Sequence, residues 1–310
     1  MVNSEVKEIA KDIKTMRTRG AGRIARAAAK AFRITASSTR AKNKSEFMKE
    51  LDSVSKLLLS TRPTAVSLPN SISFIIRKPE LRETEDVKSM KRIVSSRARE
   101  FIKMSNSAVK QIGEVGARRI SDGDVIVTHC NSSCALSVIK TAHKQGKKIK
   151  VIATESRPRL QGLITVRDLS KTGIPVTLIV DSAARYFMKD VDKVIVGADS
   201  IAANGAIVNK IGTAPLALAA HEARVSFLVA AESYKFDRET TTGELIKIEY
   251  RDSGEIINPK KVPGVKILNP AFDFTPPEYV DAIITERGII PPQAAYTVLQ
   301  SMFESKACEK

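Results

Sequence analysis

The chain of 310 residues predicts an α/β protein in two parts, an all-helical N-terminal region followed by a Rossmann-like doubly wound parallel sheet. Three observations carry the prediction. Up to about residue 115 the apolar residues recur at helical spacing. From Ile120 onward, short β-branched runs alternate with helical stretches. These runs are continuous in Val and Ile rather than alternating with polar residues, as strands buried on both faces are. The expected domains are therefore 1–115, basic and helical, and 116–310, α/β.

From Ser4 to Phe32 the apolar positions Val6, Ile9, Ile13 and Met16, then Ile24, Ala27, Ala28 and Ala31, predict a helix, a Gly-rich turn and a second helix. Further helices are expected over Lys44 to Leu59 and, after the turn signal Thr61-Arg-Pro, over Val66 to Ile76. A long one is expected over Glu83 to Glu114. The period then changes at Ile120-Ser-Asp-Gly-Asp124. Strands are expected at Val125–Thr128, Ile149–Ala153, Val176–Val180, Val194–Val196, Phe227–Ala230 and Ala282–Thr285. Helices are expected between them at Cys134–Gln145, Leu160–Lys171, Ser182–Met188 and Thr213–Arg224. Residues 237–277, rich in Pro, Gly and charge, read as a hairpin or long ordered loop. Strand order is not readable from the chain.

Composition narrows the classes. Only three cysteines occur, Cys130, Cys134 and Cys308, with no framework spacing, which fits a reducing setting rather than a cross-linked secreted domain. No apolar stretch nears the ~18 residues of a membrane span, so the expectation is a cytoplasmic protein without a membrane partner. The net charge of +17 is concentrated at the front: residues 1–120 hold 27 Lys and Arg against 12 Asp and Glu. That asymmetry suits anionic substrates or nucleic acid, although no aromatic residues interleave with the charges as base stacking would want.

Ligands of doubly wound sheets collect beyond the carboxyl ends of the strands, which makes the two runs Asp124-Val-Ile-Val-Thr-His-Cys130 and Lys193-Val-Ile-Val-Gly-Ala-Asp199 the most informative of the chain. A thiol that exchanges a proton with carbon and a carboxylate that moves protons among oxygens are what sugar isomerisation requires. Taken singly, Cys130 reads equally as a small buried hydrophobe and Asp199 as a cap. His129-Cys130-Asn131-Ser132-Ser133 opens a helix, where free N–H groups favour a reactive thiolate. A metal site at His129, Cys130 and Cys134 has the wrong spacing for the usual structural zinc patterns, and none is expected.

Arg17-Thr-Arg19-Gly20-Ala21-Gly22 sets guanidinium groups and glycines before a helix N-terminus, an arrangement suited to phosphate but equally common as a simple turn. Asn204-Gly205 marks a hairpin turn, and Asn209-Lys210-Ile-Gly-Thr213 brings an amide, an ammonium and a helix start together. Glu155, Asp181 and Glu232 stand at strand ends and read as caps or pocket walls. Lys235 is a further candidate phosphate ligand.

Taken in order, Arg19-Gly-Ala-Gly22, Thr128-His-Cys-Asn-Ser-Ser133, Thr154-Glu-Ser-Arg-Pro158, Val196-Gly-Ala-Asp-Ser200, Asn204-Gly205, Asn209-Lys-Ile-Gly-Thr213 and Ala231-Glu-Ser-Tyr-Lys235 carry a resemblance over nearly the whole chain. It is to the family that joins the alpha, beta and delta subunits of translation initiation factor 2B with methylthioribose-1-phosphate isomerase and archaeal ribose-1,5-bisphosphate isomerase. Within that family the isomerases keep a catalytic cysteine and aspartate, matched here by Cys130 and Asp199. The methylthioribose-1-phosphate enzymes typically follow the cysteine with Asn-x-Gly, whereas this chain has Asn131-Ser132-Ser133. That departure, together with Lys235, favours the bisphosphate isomerase.

The resemblance implies a cofactor-free conversion of ribose 1,5-bisphosphate to ribulose 1,5-bisphosphate in AMP degradation. It further implies AMP as a candidate activator and a homo-oligomer, a hexamer built from dimers. By the same carry-over Arg19, Gly20, Ala21, Gly22 and Arg62 hold one phosphate, with Ser132, Ser133, Cys134, Asn209, Lys210 and Lys235 around the rest of the substrate. Asp199 protonates the ring oxygen and Cys130, as thiolate, takes the C2 proton. The alternatives are a non-catalytic initiation-factor-2B-like subunit that binds RNA or the factor, and methylthioribose-1-phosphate isomerase.

Overall fold

The computed structural model describes residues 2–62, 66–77, 79–237, 240 and 248–304. The chain divides into two compact units, Met1–Ser107 and Ala108–Lys310. The division falls inside one long helix.

The first unit is helical: α1 (Ser4–Lys14), α2 (Ala21–Ser38), α3 (Lys44–Leu59), α4 (Ser67–Ile76), α5 (Pro79–Glu83) and the greater part of α6 (Val87–Ala117). Polar caps set the starts. Asn3 accepts from the Glu5 N–H, Asn43 from the Glu46 N–H, and Asp86 from those of Lys88 and Ser89. The buried face of α2 is mostly alanine, Ala25, Ala28, Ala29 and Ala31, which lets neighbouring backbones approach closely around Phe32, Phe47 and Phe101. The short α5, which opens on Pro79, was not among the expected helices. Proline tolerates the first helical turn because its missing N–H would be unpaired there anyway.

The second unit is the predicted α/β domain. Its strands and helices follow in the order β1 (Val125–Thr128), α7 (Ser133–Lys144), β2 (Lys150–Thr154), α8 (Gly162–Ser170), β3 (Val176–Ile179), α9 (Ala184–Phe187) and β4 (Lys193–Val196). Then come β5 (Ser200–Ile201), β6 (Ile207–Lys210), α10 (Thr213–Ala223), β7 (Ser226–Ala230), β8 (Phe272–Thr275), β9 (Ala282–Thr285), β10 (Gly288–Ile290) and α11 (Ala295–Glu304). Seven strands form one sheet in the order β10-β9-β7-β4-β1-β2-β3, parallel except for the antiparallel edge strand β10. The chain winds outward from β1 through β2 to β3, then returns to β4 and winds the other way through β7 and β9. The direction reverses between β1 and β4, and a doubly wound sheet opens its ligand crevice at that switch point.

Two expectations change. Within the segment from Ser182 to Met188 the α-helix covers only Ala184–Phe187, flanked by the tight 3₁₀ turns Asp181–Ala183 and Met188–Asp190. Part of the presumed loop of 237–277 is strand β8, which joins β5 and β6 in a second, three-stranded antiparallel sheet. Between residue 248 and Ala271 it carries two 3₁₀ turns, Ser253–Glu255 and Pro259–Lys261, and an isolated bridge between Tyr250 and Pro270. Its residues 238–239 and 241–247 lie outside the described ones. The β5–β6 hairpin turns through Asn204-Gly205, where Gly205 adopts φ +86° and a side chain would strike the Pro292 carbonyl. Among the described residues no helix is long and apolar enough to cross a membrane.

Candidate active site

Thr128, the last residue of β1, donates its hydroxyl to the Ile195 carbonyl of β4 at 2.8 Å and so locks together the two strands that flank the switch point. Two residues on, Cys130 has φ +65°, a conformation that costs a non-glycine residue energy and is kept only where its surroundings enforce it. The enforcement is visible. The Cys130 N–H donates to Ser156 Oγ at 2.8 Å, and its carbonyl accepts from Thr165 Oγ1 at 2.7 Å. Ser132 then caps α7, accepting from the Ala135 N–H at 3.3 Å.

Asp199 leaves β4 beside it. Its N–H donates to the Val208 carbonyl at 2.9 Å, which ties it to the β5–β6 hairpin. That hairpin ends in Asn209 and Lys210. Asn209 is buried and donates to Thr213 Oγ1 at 3.0 Å, while the Lys210 ammonium donates to the Ala271 carbonyl at 2.9 Å and lies 4.8 Å from the Phe272 ring centroid. Cys130 feels the charges of Lys210, Asp199 and Asp181. The fold has thus brought to one crevice the thiol, the carboxylate and the ammonium that the sequence singled out.

The ionisation expected of the thiol is corrected. Burial pushes Cys130 up to about 11, with the carboxylates of Asp199 and Asp181 adding to the rise and Lys210 opposing it. The helix start does not produce a resting thiolate, because α7 begins only at Ser133 and Ser132 already takes one of its free N–H groups. Cys134 is also corrected: it is fully buried in the core, and its thiol donates to the Glu232 carboxylate rather than facing a substrate. Lys235 is not a free cation. Its ammonium lies 2.7 Å from Glu232 Oε2, both groups buried, with Tyr234 donating to the other Glu232 oxygen, and it also senses Asp199.

In the helical unit, Gly20 caps α2 with φ +86°, Arg19 is exposed beside it, and Ala21 and Gly22 form the buried first turn. Arg62 comes to the same turn, its guanidinium 3.2 Å from Met16 Sδ. Ser133 is exposed and Ser132 half-buried in the α/β unit.

Several residues read only as motif members, caps or walls do more. His129 is buried, and its Nε2–H donates to the Ile211 carbonyl at 2.8 Å. Nδ1 is thereby the acceptor for the Thr154 hydroxyl at 2.6 Å, and burial holds the ring below its usual range, hence neutral. Gly212 is left-handed at φ +102°, and a side chain there would stand 2.9 Å from the His129 ring. Asp181 takes the N–H groups of Ser156 and Arg157, each at 2.7 Å. Asp273 takes those of Gly212 and Ala214 at the head of α10. The sequence signal for Asp181 was its place just after the β3 run; nothing local marked Asp273.

A crevice at a switch point with a thiol, a carboxylate and a lysine defines a doubly wound α/β protein equipped for proton transfer. The chain belongs to the initiation factor 2 subunit family, whose model matches residues 17–292. It is 52% identical to the ribose 1,5-bisphosphate isomerase of Pyrococcus furiosus, over 98% of this chain and 95% of the relative. The methylthioribose-1-phosphate isomerase of Pelotomaculum thermopropionicum is 39% identical, over 93% of this chain and 84% of the relative. Among solved structures, the Pyrococcus horikoshii OT3 translation initiation factor eIF-2B superposes with a TM-score of 0.82 at 36% identity, covering 94% of this chain and 98% of that one.

Proposed function

We propose that the chain is an aldose–ketose isomerase that converts ribose 1,5-bisphosphate to ribulose 1,5-bisphosphate, with Cys130 and Asp199 as its catalytic pair. The observation that carries the reading is the placement of this pair on either side of the β1/β4 switch point, with the Asp199 charge acting on the Cys130 thiol. The identity to relatives named for this reaction supports the choice of substrate.

At rest Cys130 keeps its proton as a thiol, because burial disfavours the thiolate. Transfer from the Cys130 thiol to the Asp199 carboxylate produces thiolate and carboxylic acid together, with Lys210 stabilising the thiolate. Asp199 then gives its proton to the ring oxygen as the C1–O bond breaks, while Cys130 Sγ takes the C2 proton. The enol collapses when Asp199 recovers a proton from the C2 hydroxyl and Cys130 delivers its own to C1. Atoms balance, and the pair ends as it began. General acid–base assistance of this kind supplies about 10²–10⁴-fold, and oriented binding of the two phosphates supplies much of the rest. Arg19, Gly20, Ala21, Gly22 and Arg62 hold one phosphate in this reading, with Ser132, Ser133, Asn209 and Lys210 around the other parts of the sugar. Lys235, paired with Glu232, acts on Asp199 by charge rather than as a free ligand.

The reading includes a cytoplasmic homo-oligomer, a hexamer built from dimers, with AMP as activator. Purified protein incubated with ribose 1,5-bisphosphate, with and without AMP, should form ribulose 1,5-bisphosphate. Cys130→Ser and Asp199→Asn should abolish that turnover. A wild type inactive under both conditions would move the assignment to the non-catalytic regulatory subunit.

A further inference from the structure

Resting on that reading, we infer that Asp181 and Ser156 form a positioning relay that fixes Cys130 for proton transfer. Asp181 spends both carboxylate oxygens on main-chain N–H groups: Oδ1 on Ser156 and Oδ2 on Arg157, each at 2.7 Å. Ser156 is itself left-handed at φ +60°, so the clamp holds a conformation that the free chain would leave. Its Oγ accepts the Cys130 N–H at 2.8 Å, and Cys130 is left-handed in turn. The far side of Cys130 is held by Thr165. Three strand ends, β3 through Asp181, β2 through Ser156 and β1 through Cys130, are thereby chained across the sheet in the order in which they pair.

Charge cannot be the purpose of Asp181. Its negative charge disfavours the thiolate, as does that of Asp199; Lys210 alone of the charged neighbours acting on the thiol favours it, and the adjoining His129 ring is neutral. A carboxylate that opposes the thiolate by charge and yet stands behind it serves by geometry. Removing the charge and removing the geometry therefore push in opposite directions on catalysis, which makes the two separable.

The test uses full-length Asp181→Asn and Ser156→Ala. Asparagine keeps one acceptor oxygen but turns an N–H donor toward the second main-chain N–H, so one arm of the clamp is lost. Alanine at 156 leaves the clamp and removes the acceptor for Cys130 without altering charge. Both variants should lose kcat by about 10²-fold, the cost of a displacement near 1 Å in a reacting group, with KM nearly unchanged. Peptide-mapped alkylation of Cys130 against pH should show its midpoint falling in Asp181→Asn, which loses an opposing charge, and holding in Ser156→Ala, while the fully buried Cys134 stays protected and so certifies the fold. A fall in kcat in both variants, with a more easily ionised thiol in Asp181→Asn alone, supports positioning. An unchanged kcat or a change confined to KM in either variant, or a thiol no easier to ionise in Asp181→Asn, overturns it. The alkylation readout needs no turnover: if the wild type fails to isomerise the sugar, the isomerase reading falls, and the relay stands or falls on the thiol profile of the two variants.

Discussion

A Cβ placed on Gly197 would lie 2.3 Å from Ser132 Oγ and 2.6 Å from Ser132 Cβ. The carboxyl end of β4 and the cap of α7 are thus in contact, and only a residue without a side chain permits it. Ser132 is too short to swing aside, so Gly197→Ala must move the α7 cap or the β4 end, and with it the spacing of Cys130 and Asp199. The expected cost is about 1–3 kcal/mol of stability from overpacking, with kcat reduced about 10²-fold. Urea unfolding and steady-state kinetics check it; an alanine variant with native kcat would show that the crevice does not depend on this contact.

The Cys130 thiol should ionise far later than an ordinary cysteine. Burial and two carboxylates hold it near 11, against about 8.5 for a free thiol, so its alkylation at pH 7–8 should be slow and should climb through the alkaline range. Lys210→Met removes the opposing cation and should raise the midpoint further. Iodoacetamide labelling followed by peptide mapping measures both. A midpoint at or below 8.5 would contradict the buried, anion-flanked environment.

Much of the fold was written in the chain because buried parallel strands need unbroken apolar runs: Val125–Thr128 and Ala282–Thr285 coincide with β1 and β9. What escaped was short or set by distant partners. Strands β5 and β8 lack such runs, and β8 is ordered by pairing with β6 across more than sixty residues. The convergence of Cys130 and Asp199 on one crevice was legible since strand ends meet by topology alone. The ionisation of Cys130 was not, because it depends on how much protein covers the thiol and on Asp181, a residue whose proximity only the strand order reveals. Cys134 and Lys235 misled for one reason. Their joint partner Glu232 is a strand-end acid whose burial no local pattern announces.

That trio yields a stability prediction. The Glu232 carboxylate is held down at about 2 by the adjoining Lys235 ammonium and the Cys134 thiol, despite burial. Glu232→Gln leaves the ammonium buried without its anion, which should destabilise the protein by about 3–5 kcal/mol. The double variant Glu232→Gln/Lys235→Met removes the stranded charge and should recover much of that loss. Equal losses in the single and double variants, read from urea unfolding, would show that the ion pair is not what the site depends on.

Asp273 gives the pH dependence a definite sign. Burial raises its carboxyl to about 6 in the folded chain, outweighing the N–H groups of Gly212 and Ala214. Oδ1 is buried and without a hydrogen-bond partner among the described residues, so it is the oxygen left open to a proton. The unfolded chain ionises the same group near 3.8, so between about pH 4 and 6 the folded state binds more protons and stability falls as pH rises. Above pH 6 the penalty is constant, about 1–2 kcal/mol once its partial exposure is allowed for. Glu232 has the opposite sign: its contribution is complete above the ordinary 4.5 and is lost as pH drops through about 2. Together they place the best stability near the lower end of the Asp273 window. Both N–H groups donate to the single oxygen Oδ2, so Asp273→Asn can keep the acceptor for both while it cannot ionise, and its thermal midpoint should exceed the wild type's above pH 6 and converge with it toward pH 4. Parallel curves for the two proteins across that range would mean that the carboxyl titrates elsewhere.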